Sequence, residues 1–176
     1  MSCLPRDGDV LGNAGAAQRR RYRQLRKLQP HPGDGLKVLR LFTDGASRGN
    51  PGPAGLGVVI EDDLGMRLRG LHRWLGVTTN NEAEYRALIE GLKAAQDWKP
   101  DRLEVYLDSK LVVEQINGGY RIKAPELLPL HKQAKELIEK FPEVKVAHVE
   151  RAKNRGADHL ANMAIDAHVK KTKFGG

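Results

Sequence analysis

Four acids in this chain stand where a carboxylate has more to do than solvate a surface: Asp44, Glu84, Asp108 and Asp158. Asp44 follows Val38–Thr43 and Asp108 follows Leu103–Leu107, two runs rich in β-branched, aromatic and Leu residues that read as buried strands. If those strands are neighbours, both acids project into one crevice beyond the strand ends, where α/β sheets gather ligands. Glu84 heads a stripe of Ala87, Leu88, Gly91, Leu92 and Ala95 at i+3, i+4, i+7, i+8 and i+11, which puts it on the inward face of a helix. Its neighbour Glu82 shares a side with Arg86 and Glu90 and completes, with Thr79, a Thr-x-x-Glu capping box, so Glu82 reads as structural. Asp158 falls in the first turn of a last helix. Local roles are open to the other three acids as well. Asp44 is a turn former in Asp-Gly, Asp108 a helix N-cap, and Asp158 a partner of the helix dipole worth about 0.3–1 kcal/mol. Carboxylates converging at about 4 Å would repel by roughly 4 kcal/mol per pair at an effective dielectric near 20, so a cation must compensate. Oxygen-only ligands select hard Mg²⁺ or Mn²⁺, and no Cys/His pattern with zinc spacing competes.

The elements that would position these acids follow in a simple order. After the first strand, Asn50-Pro51-Gly52-Pro53 makes a tight loop. Leu56–Ile60 is a second strand, Asp62-Asp63-Leu64-Gly65 a hairpin connection, and Met66–Trp74 a third strand with Arg67, Arg69 and Arg73 on one face. Thr78-Thr79-Asn80-Asn81 opens a helix to about Gln96, and Leu103–Leu107 is the fourth strand. Ser109–Asn117 is a helix stopped by Gly118-Gly119. An amphipathic stretch runs from Pro125 to Lys140, Val144–Val149 is a fifth strand, and the last helix runs from Ala157 to about His168. Strands joined by hairpins lie antiparallel and strands joined through helices lie parallel. The order βββαβααβα therefore predicts an α/β fold with one mixed, five-stranded sheet flanked by helices.

A chain of 176 residues has room for one such domain. No run approaches the roughly 18 apolar residues of a membrane helix, and the first residues lack the apolar stretch of a secretory signal. Cys3 is the one cysteine, so no internal disulfide is expected, which suits a cytoplasmic location. The net charge of +8 favours a polyanionic partner. Residues 1–40 hold nine Lys and Arg against three acids, whereas the remainder holds 21 against 19, so the excess lies at the start of the chain. Residues 1–36 read as a flexible basic arm and linker, 37–170 as the domain and 171–176 as a disordered tail. Arg19, Arg20, Arg21, Arg23, Arg26 and Lys27 are the arm's candidate nucleic-acid contacts. Deleting residues 1–34 should weaken binding to a nucleic acid and flatten its dependence on salt; an unchanged salt slope would make the arm a passive tail.

Four blocks resemble the type 1 ribonuclease H family and occur in family order. They are Thr43-Asp44-Gly45-Ala46-Ser47-Arg48-Gly49-Asn50-Pro51-Gly52-Pro53, Thr79-Asn80-Asn81-Glu82-Ala83-Glu84, Asp108-Ser109, and Asn154-Arg155-Gly156-Ala157-Asp158. The similarity covers about Leu36 to Val169. It implies a ribonuclease H-like fold and hydrolysis of the RNA strand of RNA–DNA hybrids with two Mg²⁺ ions, leaving 5′-phosphate and 3′-hydroxyl ends. The acids carried over are Asp44, which would bridge both ions, Glu84, Asp108 and Asp158. Contacts to RNA 2′-hydroxyls fall on Asn50, Asn80, Glu84, Ser109 and the backbone around Ser47, and a DNA phosphate contact falls on Thr79.

Two segments depart from many family members. In place of a catalytic-loop histidine the chain has Arg151, with His148 back on the strand, which resembles a shorter-loop branch of the family. A fixed cation there can steer a leaving group but cannot shuttle protons near neutral pH. His148 and His159 read as partly buried structural residues. The segment Gly119-Tyr120-Arg121-Ile122-Lys123-Ala124-Pro125 stands where some members carry an extra helix and a basic protrusion. A monomer acting on a hybrid is expected. The rival readings are a DNA-cutting resolvase-like nuclease of the same superfamily, whose motif wording is absent, and a non-catalytic hybrid-binding module, which loss of acids would mark.

Overall fold

The computed structural model describes residues 38–174. The basic stretch Arg19–Lys27 and the rest of the expected arm lie outside the described residues. Three strands come first, β1 (Val38–Ser47), β2 (Gly52–Asp62) and β3 (Arg67–Thr78). They are followed by α1 (Asn80–Ala95), β4 (Arg102–Leu107), α2 (Lys110–Asn117), α3 (Leu128–Ile138), β5 (Val144–His148) and α4 (Arg155–Phe174). Short 3-10 turns occupy Gln96–Trp98, Pro125–Leu127 and Arg151–Lys153. The sheet order is β3-β2-β1-β4-β5, with β1–β2 and β2–β3 antiparallel and β1–β4 and β4–β5 parallel. This is the mixed five-stranded sheet that the element order predicts.

Local chemistry accounts for the punctuation. In the β2–β3 hairpin the Asp62 carboxylate accepts from the backbone N–H of Leu64 (3.0 Å) and of Met66 (2.8 Å), and Gly65 takes the positive φ of 79° that the turn needs. Gly118, at φ 85°, ends α2 by donating to the carbonyls of Glu114 and Gln115.

One sheet face packs on α1. Leu39, Leu41, Leu103, Val105 and Leu107 alternate inward from β1 and β4 to meet Leu88 and Leu92, and all are buried. Full burial of such side chains stabilises by about 1.5–3 kcal/mol each before entropy is counted. The other face takes α4. Gly57 of β2 lies so close to Ala157 that a Cβ would enter the helix backbone, so the small residue sets how near α4 can come.

Several boundaries differ from the sequence reading: β2, expected over Leu56–Ile60, runs Gly52–Asp62, and β3, expected over Met66–Trp74, runs Arg67–Thr78. β1 continues past Thr43 to Ser47, because β2 pairs with it as far as Ser47↔Ala54. The last helix continues past His168 to Phe174, absorbing part of the expected tail. No Gly or Pro interrupts 169–174, and the Thr172 hydroxyl donates to the Val169 carbonyl at 2.9 Å. On β3, Arg69 and Arg73 are engaged with Asp97 and Glu90, each at 3.0 Å.

Candidate active site

The parallel pairing of β1 with β4 stops at Thr43↔Leu107. The next residue on each strand, Asp44 and Asp108, therefore leaves the parallel sheet at adjacent carboxyl ends. β1 remains paired with β2, Asp44 opposite Gly57, so Asp44 sits within a strand and not in an Asp-Gly turn. Asp108 does not cap α2 either. The cap is Ser109, whose hydroxyl accepts from the Val112 N–H at 3.4 Å, and this leaves the Asp108 carboxylate for other work.

α1 begins with the predicted capping box. The Thr79 hydroxyl accepts from the Glu82 N–H (3.3 Å), and the Glu82 carboxylate accepts from the Thr79 N–H (3.2 Å) and from the Thr78 hydroxyl (2.5 Å). The Thr78 hydroxyl and the Thr79 donors hold the Glu82 carboxyl below its ordinary range, outweighing partial burial. Two residues on, Glu84 points inward and is 4% exposed, with Ala87, Leu88, Gly91, Leu92 and Ala95 buried along its stripe. Gly45 lets it arrive. A Cβ at Gly45 would collide with the backbone of Ala83 and Glu84, and the Gly45 N–H donates to the Glu84 carboxylate. Gly45→Ala should separate α1 from β1, lowering the melting temperature by about 5 °C or more and abolishing any metal-dependent stabilisation. A variant with wild-type melting and metal response would show that this contact is not tight.

Carboxylate oxygens of Asp44, Glu84 and Asp108 lie within 4.8 Å of one another. Burial, then the charges of Asp108 and Asp158, pushes the Asp44 carboxyl up to about 8. Burial, then Asp44 and Asp108, raises Glu84 as well. One Glu84 oxygen, Oε2, is buried with no hydrogen-bond partner. Buried acids this close, with one oxygen orphaned and no soft donor among them, fit a hard divalent cation.

Asp158 joins the group electrostatically but stands outside the close trio. Its carboxylate is 28% exposed and accepts from Arg151 at 2.9 Å across the loop that precedes α4. The Arg151 side chain is 77% exposed, and its guanidinium feels Asp44 and Asp108 as well as Asp158. His148 and His159 are both exposed, a correction to the partly buried roles expected of them; each occupies a solvent-facing position on its element.

Asn154 has a function the sequence reading did not give it. It is 1% exposed; its Nδ2 donates to the Thr43 carbonyl at 3.0 Å, and its own carbonyl accepts from the Asp158 N–H at 3.1 Å. One residue, through its side chain on one side and its backbone carbonyl on the other, thus ties the residue before Asp44 to the turn bearing Asp158. The expected substrate residues gather at the same end of the sheet. The Ser47 hydroxyl donates to the Thr78 carbonyl at 2.9 Å, and the Asn50 side-chain oxygen accepts from the Asn80 N–H at 3.2 Å. Arg48 braces this loop on α4 through Asp166 at 2.6 Å.

A family model described as reverse transcriptase-like matches residues 42–164. A protein named ribonuclease HI from Halobacterium salinarum is 44% identical over 136 residues, covering 77% of this chain and 67% of that protein. A bifunctional protein from Mycobacterium tuberculosis is 47% identical over 133 residues, 75% of this chain. The match spans 36% of that mycobacterial protein's length, about a third. Among solved structures, the N-terminal RNase H domain of an M. tuberculosis protein, fused to maltose-binding protein, superposes with a TM-score of 0.73 at 43% identity, covering 77% of this chain and 98% of that one. LC11-RNase H1, solved in complex with an RNA/DNA hybrid, does so at 0.71 and 41%, covering 74% and 99%. With likeness of this degree over the same residues that build the acid cluster, the chain belongs to the ribonuclease H family and is RNase HI-like.

Proposed function

We propose that this protein is an endonuclease that hydrolyses the RNA strand of RNA–DNA hybrids, leaving 5′-phosphate and 3′-hydroxyl ends. The observation that carries this reading is the close approach of the Asp44, Glu84 and Asp108 carboxylates with an orphaned Glu84 oxygen among them. The relatives named ribonuclease H and the neighbour bound to an RNA/DNA hybrid support the choice of substrate. Asp44, Glu84, Asp108 and Asp158 would hold two Mg²⁺ ions, or Mn²⁺. Bound there, such ions supply a water of lowered pKa and a positive charge for the departing oxygen.

The chain's own residues do the rest. Asn154 fixes the spacing between the Asp44 strand and the Asp158 helix. Thr79 and Asn80 sit at the N-terminus of α1, whose dipole favours a phosphate. Asn50, Asn80, Ser109 and the backbone around Ser47 would offer polar groups to ribose hydroxyls, which would separate RNA from DNA. A single cysteine suits work in the reducing cytoplasm, where the protein would act as a monomer. Among the described residues no helix is long and apolar enough to cross a membrane.

Labelled hybrid, duplex DNA and duplex RNA, each offered with Mg²⁺, test the reading. Cleavage confined to the RNA of the hybrid is expected; cleavage of duplex DNA would transfer the protein to the resolvase-like class, and no cleavage at all would leave a binding module. Arg151→Ala should lower turnover several-fold with hybrid affinity nearly intact, because the guanidinium pairs with Asp158 and adds positive charge beside Asp44 and Asp108 while the rest of the side chain lies in solvent. An unchanged turnover number would remove Arg151 from the mechanism.

A further inference from the structure

α4 runs alongside the far end of β1. Gly57, opposite Asp44, packs on Ala157, and Gly55, opposite Ala46, packs on Ala161, so each step along β1 away from the acids is matched by a step along the helix. One face of α4 carries Asp158, Asn162 and Asp166 at i, i+4 and i+8, beginning beside Asp44 and ending on Arg48 at 2.6 Å. Arg48 is four residues past Asp44, about 13 Å at the rise of a strand, and Asp166 is eight past Asp158, about 12 Å at the rise of a helix. Both routes from the acids end on one ion pair.

The loop that carries Arg48 is held by other bonds. The Arg48 N–H donates to the Pro53 carbonyl at 2.8 Å, the Ser47 hydroxyl donates to the Thr78 carbonyl, and the Asn50 side chain accepts from the Asn80 N–H. The ion pair adds little to these, because the Arg48 and Asp166 side chains are 44% and 54% exposed and such pairs contribute about 0–1 kcal/mol. Arg48 is therefore free to change partners.

The charge pattern says which partner it suits. From Leu41 to Met66 Arg48 is the one Lys or Arg, so a polyanion lying between β1 and α4 would meet Asp166 with no other positive charge from that stretch of chain. A backbone phosphate accepts two parallel N–H bonds from a guanidinium, as a carboxylate does, and its pairing also releases condensed counterions. The exchange then favours the phosphate.

We propose that Arg48 is a positioning cation, which on binding leaves Asp166 for a phosphate of the strand held by the acids, roughly three or four nucleotide steps of about 3.4 Å from the bond to be cut. Asp166 holds the guanidinium in the free protein and opposes binding by competing for it. The identity of the strand rests on the nuclease reading.

The test measures binding of a fluorescein-labelled RNA–DNA hybrid of about 18 base pairs by anisotropy, in EDTA and from about 50 to 200 mM KCl, where phosphate contacts set the salt slope. Arg48→Ala should weaken binding about fivefold and lower the salt slope by about one, and Arg48→Lys should restore the slope. Asp166→Asn should tighten binding about threefold. The deciding protein carries Arg48→Ala and Asp166→Asn together. A loss that persists in it, relative to Asp166→Asn alone, is a contact to the hybrid; no further loss would mean that Arg48 only neutralises Asp166, and would overturn the proposal. Weaker binding by Asp166→Asn would overturn it as well, since the pair would then be a brace for the loop. All variants should melt within a few degrees of the wild type, and a larger fall on Arg48→Ala would likewise assign the pair to folding. Binding is read without metal, so a wild type that binds the hybrid but does not cleave it with Mg²⁺ sinks the nuclease reading alone. One that cleaves while Arg48→Ala binds unchanged sinks this inference alone.

Discussion

Asp44→Asn should cut hybrid cleavage by about a thousandfold, equivalent to roughly 4 kcal/mol of barrier, and yet melt higher than the wild type in metal-free buffer at pH 7. Both effects come from the same crowding. The Asp44 carboxyl is raised from 3.8 to about 8 by burial first and by Asp108 and Asp158 second. In the unfolded chain it titrates near its ordinary value, so between those two pH values the folded state holds the proton more tightly. Stability contributed by the protonated acid is complete below about 3.8 and is lost as pH rises toward 8. The metal-free wild type should therefore melt progressively lower from pH 4 to pH 8, and Asp44→Asn should show a flatter profile, about 5 °C higher at pH 7. Adding Mg²⁺ should restore the wild type, since whatever binds only the folded form stabilises it, and should do little for the variant. Calorimetric scans across pH, with and without Mg²⁺, measure both arms. A wild-type profile flat from pH 4 to 8 would mean that water separates these acids.

How much of this was legible in the sequence depended on how local the cause is. The assignment of Glu84 to the interior and Glu82 to the cap needed only the helical period and one capping box, and both are present in the structure. The mixed sheet followed from which strands are joined by hairpins and which through helices, whereas the adjacency of β1 and β4 emerged only in the fold. So did the extent of β1, because Asp44-Gly45 reads as a turn until β2 is found pairing beside it as far as Ser47↔Ala54. The approach of α1 to β1 is set by an atom that Gly45 lacks, and nothing around position 45 names Ala83 as the neighbour. Asn154 is the strongest case. It belongs to a block that resembles the family, but its hydrogen bond runs to a carbonyl 111 positions away. The last turns of α4 were missed for the opposite reason: 169–174 carries little apolar periodicity, and helix there follows from propensity and the absence of a breaker.

Glu84→Gln and Glu82→Ala, two positions apart on one helix, should fail in opposite ways. Gln at 84 keeps the shape of the side chain but loses the charge that a cation would need, so cleavage should drop by about a hundredfold or more. Metal-free stability should hold or rise, because burial already raises this carboxyl and Oε2 has no partner to lose. Ala at 82 removes the acceptor shared by Thr78 and Thr79, at a cost of about 0.5–2 kcal/mol, which reads as a drop of a few degrees in melting temperature. Turnover with saturating Mg²⁺ should stay within about threefold of the wild type, since Glu82 donates nothing to the acid trio. Each variant is the other's control for folding. The two acids differ in which side of α1 they occupy, and the packing of that helix against Gly45 converts the difference into chemistry for one and stability for the other. Should Glu84→Gln retain full turnover while Glu82→Ala loses it, the inward stripe would be facing the wrong partner and the metal site would have to be rebuilt without α1.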